Sequence, residues 1–327
     1  MTRVAWIIAG AMLTVGATGC QTMAQFGLFK GETPTERANA DMGLGEYKGL
    51  KHAVGVKDFD NEAGWRGQWE LGDNLATMLE SALYDTGRFV LVERGKLDAV
   101  IAEQDPAASG RTAKAKKVAQ TGKIRSARYL ATGAITTVAE GSSGGGGGIN
   151  VGGFNVGLKG KKSQVTIIAK LIDTTTGEIV AKERITGKPG GIGISLGYSG
   201  SGFGGNLGGF TETPLGEAAQ DAINQAAKWF AEQMEEFPFE GSVIKVSGKG
   251  KVIINRGSEF GVEVGQEMVM TEEGEELIDP DTGAVLDVEE GEEIGRLKIS
   301  KVSEKVSYAD VIEGEEDPAP GTAVTLR

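Results

Sequence analysis

An α/β domain with a βαβ start and a mixed sheet, interrupted by two glycine-rich β-hairpin insertions and followed by a small all-β domain, is the architecture this sequence predicts. Three observations predict it. Strand, helix and strand patterns follow one another between Val54 and Glu93. Two segments, 141–160 and 187–210, hold 21 of the 52 glycines and fall between structured elements of one domain. Beyond residue 240 the composition changes: residues 241–327 carry 20 acidic and 9 basic side chains, a balance of -11 out of -12 for the whole chain. An acidic domain with its own pattern of short strands therefore starts there.

The first 19 residues are a secretory signal. Arg3 is a short positive n-region, and Val4 to Val15 form an apolar run too short for a spanning helix. The small residues Ala17, Thr18 and Gly19 lead to Cys20, the only cysteine. Residues 20–50 show no sustained period and are expected to be a tether. VGVKDF (54–59) is a strand, with Val54, Val56 and the Asp58 position on one face. Leu71, Leu75, Met78, Leu79, Ala82 and Leu83 recur at helical spacing, and Gly87 is the stop. FVLVE (89–93) is the second strand, so a parallel pair with a right-handed crossover follows. Leu97, Val100 and Ile101 mark a short second helix.

Residues 111–128 contain seven basic side chains and no acid, which predicts a solvated helix surface or a face for anionic headgroups. Tyr129 to Val138 and Val165 to Ile172 are strands. Asp173 to Gly177 is a hairpin turn into Glu178 to Ile185, because Asp can bond the turn backbone and Gly accepts positive φ. Thr213 and Pro214 suit the N-cap and first position of a last helix, which runs along Leu215, Ala219, Ala222, Ile223, Ala226, Phe230 and Met234 and closes the first domain, residues 51–240.

The insertions span residues 139–164 and 187–211. In the second, Ile192, Ile194, Leu196 and Tyr198 share one face of an extended chain while glycine and serine take the other, the alternation of a membrane β-strand. In the first, Phe154, Val156 and Leu158 share a face, with Ile149 and Val151 on the opposite parity. Membrane hairpins and soluble-side loops both stay open on this pattern. GLKGKKS (157–163) lacks the ending of a phosphate-binding loop.

The start, ending in Gly19-Cys20, resembles a bacterial lipoprotein signal, although Ala17 stands where leucine is usual. The resemblance implies acylation of Cys20, cleavage before it and, with Gln21 next, sorting to the outer membrane, lipid-anchored and facing the periplasm. Several acyl chains hold a membrane far more durably than one. VGVKDFDNEAG, LGDNLATMLESAL, GRFVLVERGKLDAVIAEQ, ARYLATGAIT and LIDTTTGEIV resemble, in order, the CsgG family, most recognisably at Val92, Glu93, Arg94 and Leu97. That resemblance implies a homo-oligomeric ring in which each subunit lends two hairpins to a shared barrel, with secreted fibre subunits and periplasmic accessory proteins as partners. It places a pore-narrowing loop between the first strand and helix, where this chain offers Asn61, Glu62, Trp65, Arg66 and Trp69. The loop is short, and none of these residues matches a pore-narrowing residue individually.

Residues 241–327 contain short strands at 243–246, 251–254, 268–271, 294–302 and 323–326, a small barrel or sandwich, with Gly257, Gly261 and Gly265 at tight turns. KVIINRGSEFGVEVGQEMVM and LIDPDTGAVLDVEEGEEIG resemble the C-terminal domain of the flagellar assembly protein FlgT. Asp279, Asp281 and Glu290 have EF-hand spacing, but Gly283 and Ala284 break the loop, so a structural turn is expected rather than calcium.

No nucleophile–base pair, metal cluster or cofactor loop assembles from these residues, and the lone His52 leaves little acid–base capacity near neutral pH. Glu93 and Arg94 are expected to form a structural salt bridge. The sequence therefore predicts no enzyme, no cofactor and no nucleic-acid partner, the last by the sign of its charge. Two readings remain: a curli-like export or fibre-anchoring component, with or without a pore, and a periplasmic scaffold of an envelope machine such as the flagellar basal body.

Overall fold

The computed structural model describes residues 33–109, 111, 119–140, 149–151, 154–156, 163–190, 206–237, 239–272, 274, 276–281, 283, 285–288 and 291–326. Two hydrophobic cores organise them.

The first core lies beneath a five-stranded sheet of order β2-β1-β3-β6-β7. β1 (His52–Asn61) runs parallel to β2 (Phe89–Val92) and β3 (Tyr129–Ala139). β6 (Gln164–Asp173) and β7 (Ile179–Gly187) continue the sheet antiparallel, so it is mixed. Helices α2 (Leu71–Thr86) and α5 (Pro214–Met234) cover one face. Leu75, Leu79, Leu83, Ile223 and Phe230 are buried between them and the sheet, with α2 lying over β1 and its Val54 and Val56, and α5 over β6 and its Val165, Ile167 and Leu171. Thr213 accepts a hydrogen bond from Gly216 N at 3.0 Å with Pro214 at the first helical position, and Gly87 ends α2 at φ +67. At Gly187 a Cβ would lie 2.0 Å from the Ala218 carbonyl oxygen, so the absence of a side chain lets α5 sit directly on β7.

The strand alternation expected for β1 breaks after Val56. A bulge between Val56 and Phe59 adds a residue, and Thr132 Oγ1 donates to the Asp58 carbonyl across it. Phe59, not Asp58, is therefore the buried position. The tether expected over residues 20–50 also differs from what is observed. From residue 33 onward the chain is folded: α1 (Pro34–Asp41) starts with a full capping box between Thr33 and Glu36, and Met42, Leu44 and Leu50 are buried. Residues 20–32 lie outside the described residues.

α3 (Leu97–Ala108) forms as expected, yet none of its residues is buried. The described part of the basic stretch, 111 and 119–128, is irregular rather than helical. In the first glycine segment β4 (Ile149–Val151) pairs antiparallel with β5 (Phe154–Val156). Ile149 opposes Val156 and Val151 opposes Phe154 in this ladder. A short helix, α4 (Asn206–Thr211), precedes α5, and its Phe210 is fully buried.

The second core fills a closed six-stranded barrel of order β10-β13-β14-β9-β8-β15. Its strands are β8 (Gly241–Val246), β9 (Val252–Ile254), β10 (Glu267–Thr271), β13 (Glu293–Val302), β14 (Ser307–Gly314) and β15 (Ala323–Leu326). Inward residues include Ile254, Met268, Met270, Leu297, Ile299 and Val324. β11 (Glu276–Ile278) and β12 (Val285–Val288) form a separate hairpin. Gly261 and Gly265 have positive φ, as tight turns require. Gly257 does not; it is extended, and a Cβ there would meet the Ser303 carbonyl oxygen at 2.2 Å. Asp279 Oδ1 accepts from Asp281 N at 2.8 Å and Gly283 N donates to the Asp279 carbonyl at 2.8 Å, a self-contained turn.

Candidate functional site

The loop from β1 to α2 is where a pore-narrowing segment was expected, and it is braced from within. Asn61 Nδ2 donates to the Trp65 carbonyl at 2.8 Å, and Trp65 N donates back to Asn61 Oδ1 at 3.0 Å. Ala63 N donates to the Ile135 carbonyl at 2.7 Å, tying the loop to β3. Trp65 Nε1 donates to the Trp69 carbonyl at 3.2 Å, and the Trp69 ring lies 5.4 Å from Phe210. Both indoles pack on the α/β core. They are the foundation of the loop rather than its tip. Glu62, Arg66 and Glu70 are the exposed charged side chains of this short loop.

Strand direction gathers the other expected segments at the same end of the sheet. Ala139, the last residue of β3, pairs with Gln164, the first of β6. Val165 pairs with Gly187, the last residue of β7. Both glycine insertions therefore leave from the edge where Asn61 pairs with Ile135. Cys20, Ile192, Ile194, Leu196 and Tyr198 themselves lie outside the described residues.

The Val92, Glu93, Arg94, Leu97 block has a structural role that differs from the expected salt bridge. Glu93 Oε1 accepts from Lys96 N at 2.7 Å, shaping the turn into α3. Arg94 donates to the Glu93 carbonyl at 2.8 Å and to the Arg125 carbonyl at 2.9 Å. Its stem crosses β1 at Gly55, where a Cβ would come within 2.6 Å of Arg94 Cγ. Across the same edge, burial and then Glu93 raise the pKa of Glu80, and burial and then Asp73 raise that of Asp58. Among the described residues no group of three or more His, Cys, Asp or Glu is arranged to hold a metal ion. No helix among them is long and apolar enough to cross a membrane.

At the opposite end of the sheet, where β1 and β3 begin, the barrel is joined on. Lys51 N donates to the Phe260 carbonyl at 2.8 Å, Arg125 pairs with Glu259 at 2.6 Å, and Arg128 pairs with Asp173 at 3.1 Å and Glu240 at 3.5 Å. The basic stretch, expected as a solvated helix surface or a face for anionic headgroups, thus supplies two cations to the domain junction instead. His52 sits in this junction, 5.9 Å from the Tyr129 ring and hydrogen-bonded to the backbone of Phe237. Burial lowers its pKa from 6.5 to about 4. A depressed pKa means the unfolded chain takes up a proton before the folded one does, so stability present above pH 6.5 falls as the pH drops toward 4. Between pH 7 and 4.5 this group is expected to remove about 2 kcal/mol. Urea unfolding of the wild type and His52→Gln at both pH values checks this: the pH-dependent loss should shrink by that amount in the variant.

Comparison with known proteins places this fold. The family model described as curli production assembly/transport component CsgG matches residues 39–249. No curated protein matches the sequence. Among solved structures, a hypothetical protein of Chlamydia trachomatis is similar over 55% of this chain and 96% of its own, at 12% identity and TM-score 0.34. The PelC dodecamer of Paraburkholderia phytofirmans is similar over 56% and 89%, at 14% identity and TM-score 0.27. Lipoprotein GNA1162 of Neisseria meningitidis is similar over 46% and 93%, at 13% identity and TM-score 0.24.

Proposed function

The chain belongs to the CsgG family, and from that premise we propose that it is a lipid-anchored, homo-oligomeric component of the outer membrane, facing the periplasm, that exports or anchors a surface fibre. The observation that carries this reading is the polarity of the α/β domain. Both glycine insertions and the Asn61–Glu70 loop leave one end of the sheet, and the acidic barrel is attached at the other. Such an arrangement suits a subunit with one end turned to a membrane and a braced loop near the base of its hairpins. Four strands cannot close a transmembrane barrel, so a pore requires several subunits. In a ring, Glu62 and Arg66 would be the side chains offered to the lumen, with Trp65 and Trp69 holding them in place. Cys20 supplies the anchor. Fibre subunits and periplasmic accessory proteins are the partners this role calls for.

A second reading, a periplasmic scaffold without a pore around an envelope machine such as the flagellar basal body, is favoured by the closed barrel. Most of that barrel lies beyond the matched segment and has the FlgT-like sequence pattern. Conductance of the purified oligomer in liposomes separates the two, and strand alternation makes the test specific. Ile194→Arg is expected to block insertion, because a cation near the midplane on the lipid face of a barrel costs ~2–4 kcal/mol. Ser195→Arg, one residue along, is expected to assemble and change conductance. Equal membrane insertion and conductance for the two variants would leave the scaffold reading.

A further inference from the structure

A cavity of about 370 Å³ lies at the junction of the two domains, lined by the start of β1, the residues before β3, the β6–β7 turn and the first residues of the barrel. Its charge is the reverse of the chain's. The protein carries a net -12, yet Lys51, Arg128 and Arg256 line this space with Glu240 as the single acid. Glu240 is already paired with Arg128. Among the described residues neither Lys51 nor Arg256 forms an ion pair, and Arg256 feels Glu240 and Glu259 only at longer range, so neither cation has a carboxylate of its own.

Arg256 is held for a ligand as an arginine at a recognition site is held. Its guanidinium lies 4.8 Å from the Phe260 ring centroid and 5.9 Å from that of Phe239, which fixes its plane. Among the described residues it donates one hydrogen bond, to the Asn255 carbonyl at 3.2 Å, so most of its five donors have no acceptor there. Burial and then the neighbouring Arg125 lower its pKa, and Glu240 and Glu259 offset this only in part. Ser126, Ser242 and Thr175 add hydroxyls to the wall. Guanidinium forks recognise oxyanions in bidentate fashion.

We propose that this junction cavity binds a small free dianion of the phosphate or dicarboxylate class, held by the Arg256 guanidinium and the Lys51 ammonium. The cavity sits at the end of the sheet away from the glycine insertions, so the source is an anion in solution rather than a lipid headgroup. Because its walls belong to both domains, the ligand would link the barrel to the α/β domain.

The test is calorimetric titration of the purified full-length protein at low ionic strength with inorganic phosphate and, separately, with succinate, using chloride as the reference anion. Saturable binding of one or both, tighter than chloride, is the expected result, and the tighter of the two names the class. Arg256→Gln and Lys51→Gln are each expected to weaken binding at least about tenfold, with Arg256→Lys between wild type and Arg256→Gln. Lys51 bonds the barrel through its backbone N–H, which Lys51→Gln leaves in place, so that variant keeps the test valid if Arg256→Gln fails to fold. Binding no tighter than chloride, or unchanged affinity in the folded variants, overturns the proposal.

Discussion

Replacing Cys20 with alanine is expected to move the protein out of the outer-membrane fraction almost completely. On the proposed reading the anchor is all-or-none: several acyl chains on one residue would make detachment negligible on the scale of a fractionation, and without them no apolar helix among the described residues could take over. The variant should appear as uncleaved precursor or as soluble protein, distinguished by mass. Intact outer-membrane recovery of Cys20→Ala would mean that the glycine insertions alone hold the protein in the bilayer. That outcome removes the lipoprotein reading and strengthens the pore.

The second large effect is expected at Arg88. Its side chain is 4% exposed and ties three parts of the chain together. Nε donates to Asn39 Oδ1 at 3.1 Å, Nη2 to the Gly45 carbonyl at 2.6 Å, and Nη1 pairs with Glu235 beyond the end of α5. The Tyr47 ring lies 4.9 Å from the guanidinium carbon. Asn39 in turn donates to the carbonyls of Thr35 and Thr86. Arg88→Ala leaves Asn39 Oδ1 and the Gly45 carbonyl without their donor and opens a space beside α2. A loss of about 2–4 kcal/mol in urea unfolding is expected, because the two acceptors lose their donor while the half-exposed Glu235 stays hydrated. Arg88→Lys, which keeps the charge but not the fork, should recover less than half of it. Proteolysis should then cut first between residues 33 and 50, because this network fastens α1 to the domain.

Much of the fold was legible because local signals and tertiary packing agree. Leu71 to Leu83 and Leu215 to Met234 have helical periodicity, explicit stops or caps, and a single buried face. The Asp173–Gly177 turn forms as its residue types dictate, with Thr175 N donating to Asp173 Oδ1 at 2.7 Å and Gly177 at φ +77. What was not legible depends on distant partners. Nothing near Phe59 announces the bulge that buries it, since its bond comes from Thr132, 74 residues from Asp58. Residues 33–50 lack a period because they are held by a few anchors, Met42, Leu44 and Leu50, and by Arg88 from another element. The same holds for the loop site. The two tryptophans were visible as unusual residues, but only the fold shows them turned inward, leaving Glu62 and Arg66 exposed. The junction cavity has no motif at all, for Lys51, Arg128 and Arg256 are far apart in sequence and meet only when the barrel docks.

The two sheets differ in whether they have boundaries. The barrel closes on itself and offers no free strand, whereas the five-stranded sheet ends at β2 on one side and β7 on the other. Following the pairings, β1 is parallel to β2 and β3, and two antiparallel steps return β7 to the same direction. The two outer strands thus point the same way but are different surfaces. Pairing β7 of one copy with β2 of the next, so that the sheet continues with one strand direction, joins unlike edges in parallel, a heterologous contact that closes into a ring or runs on as a filament. Dyad symmetry would need like edges to meet, and a β7–β2 contact cannot provide it.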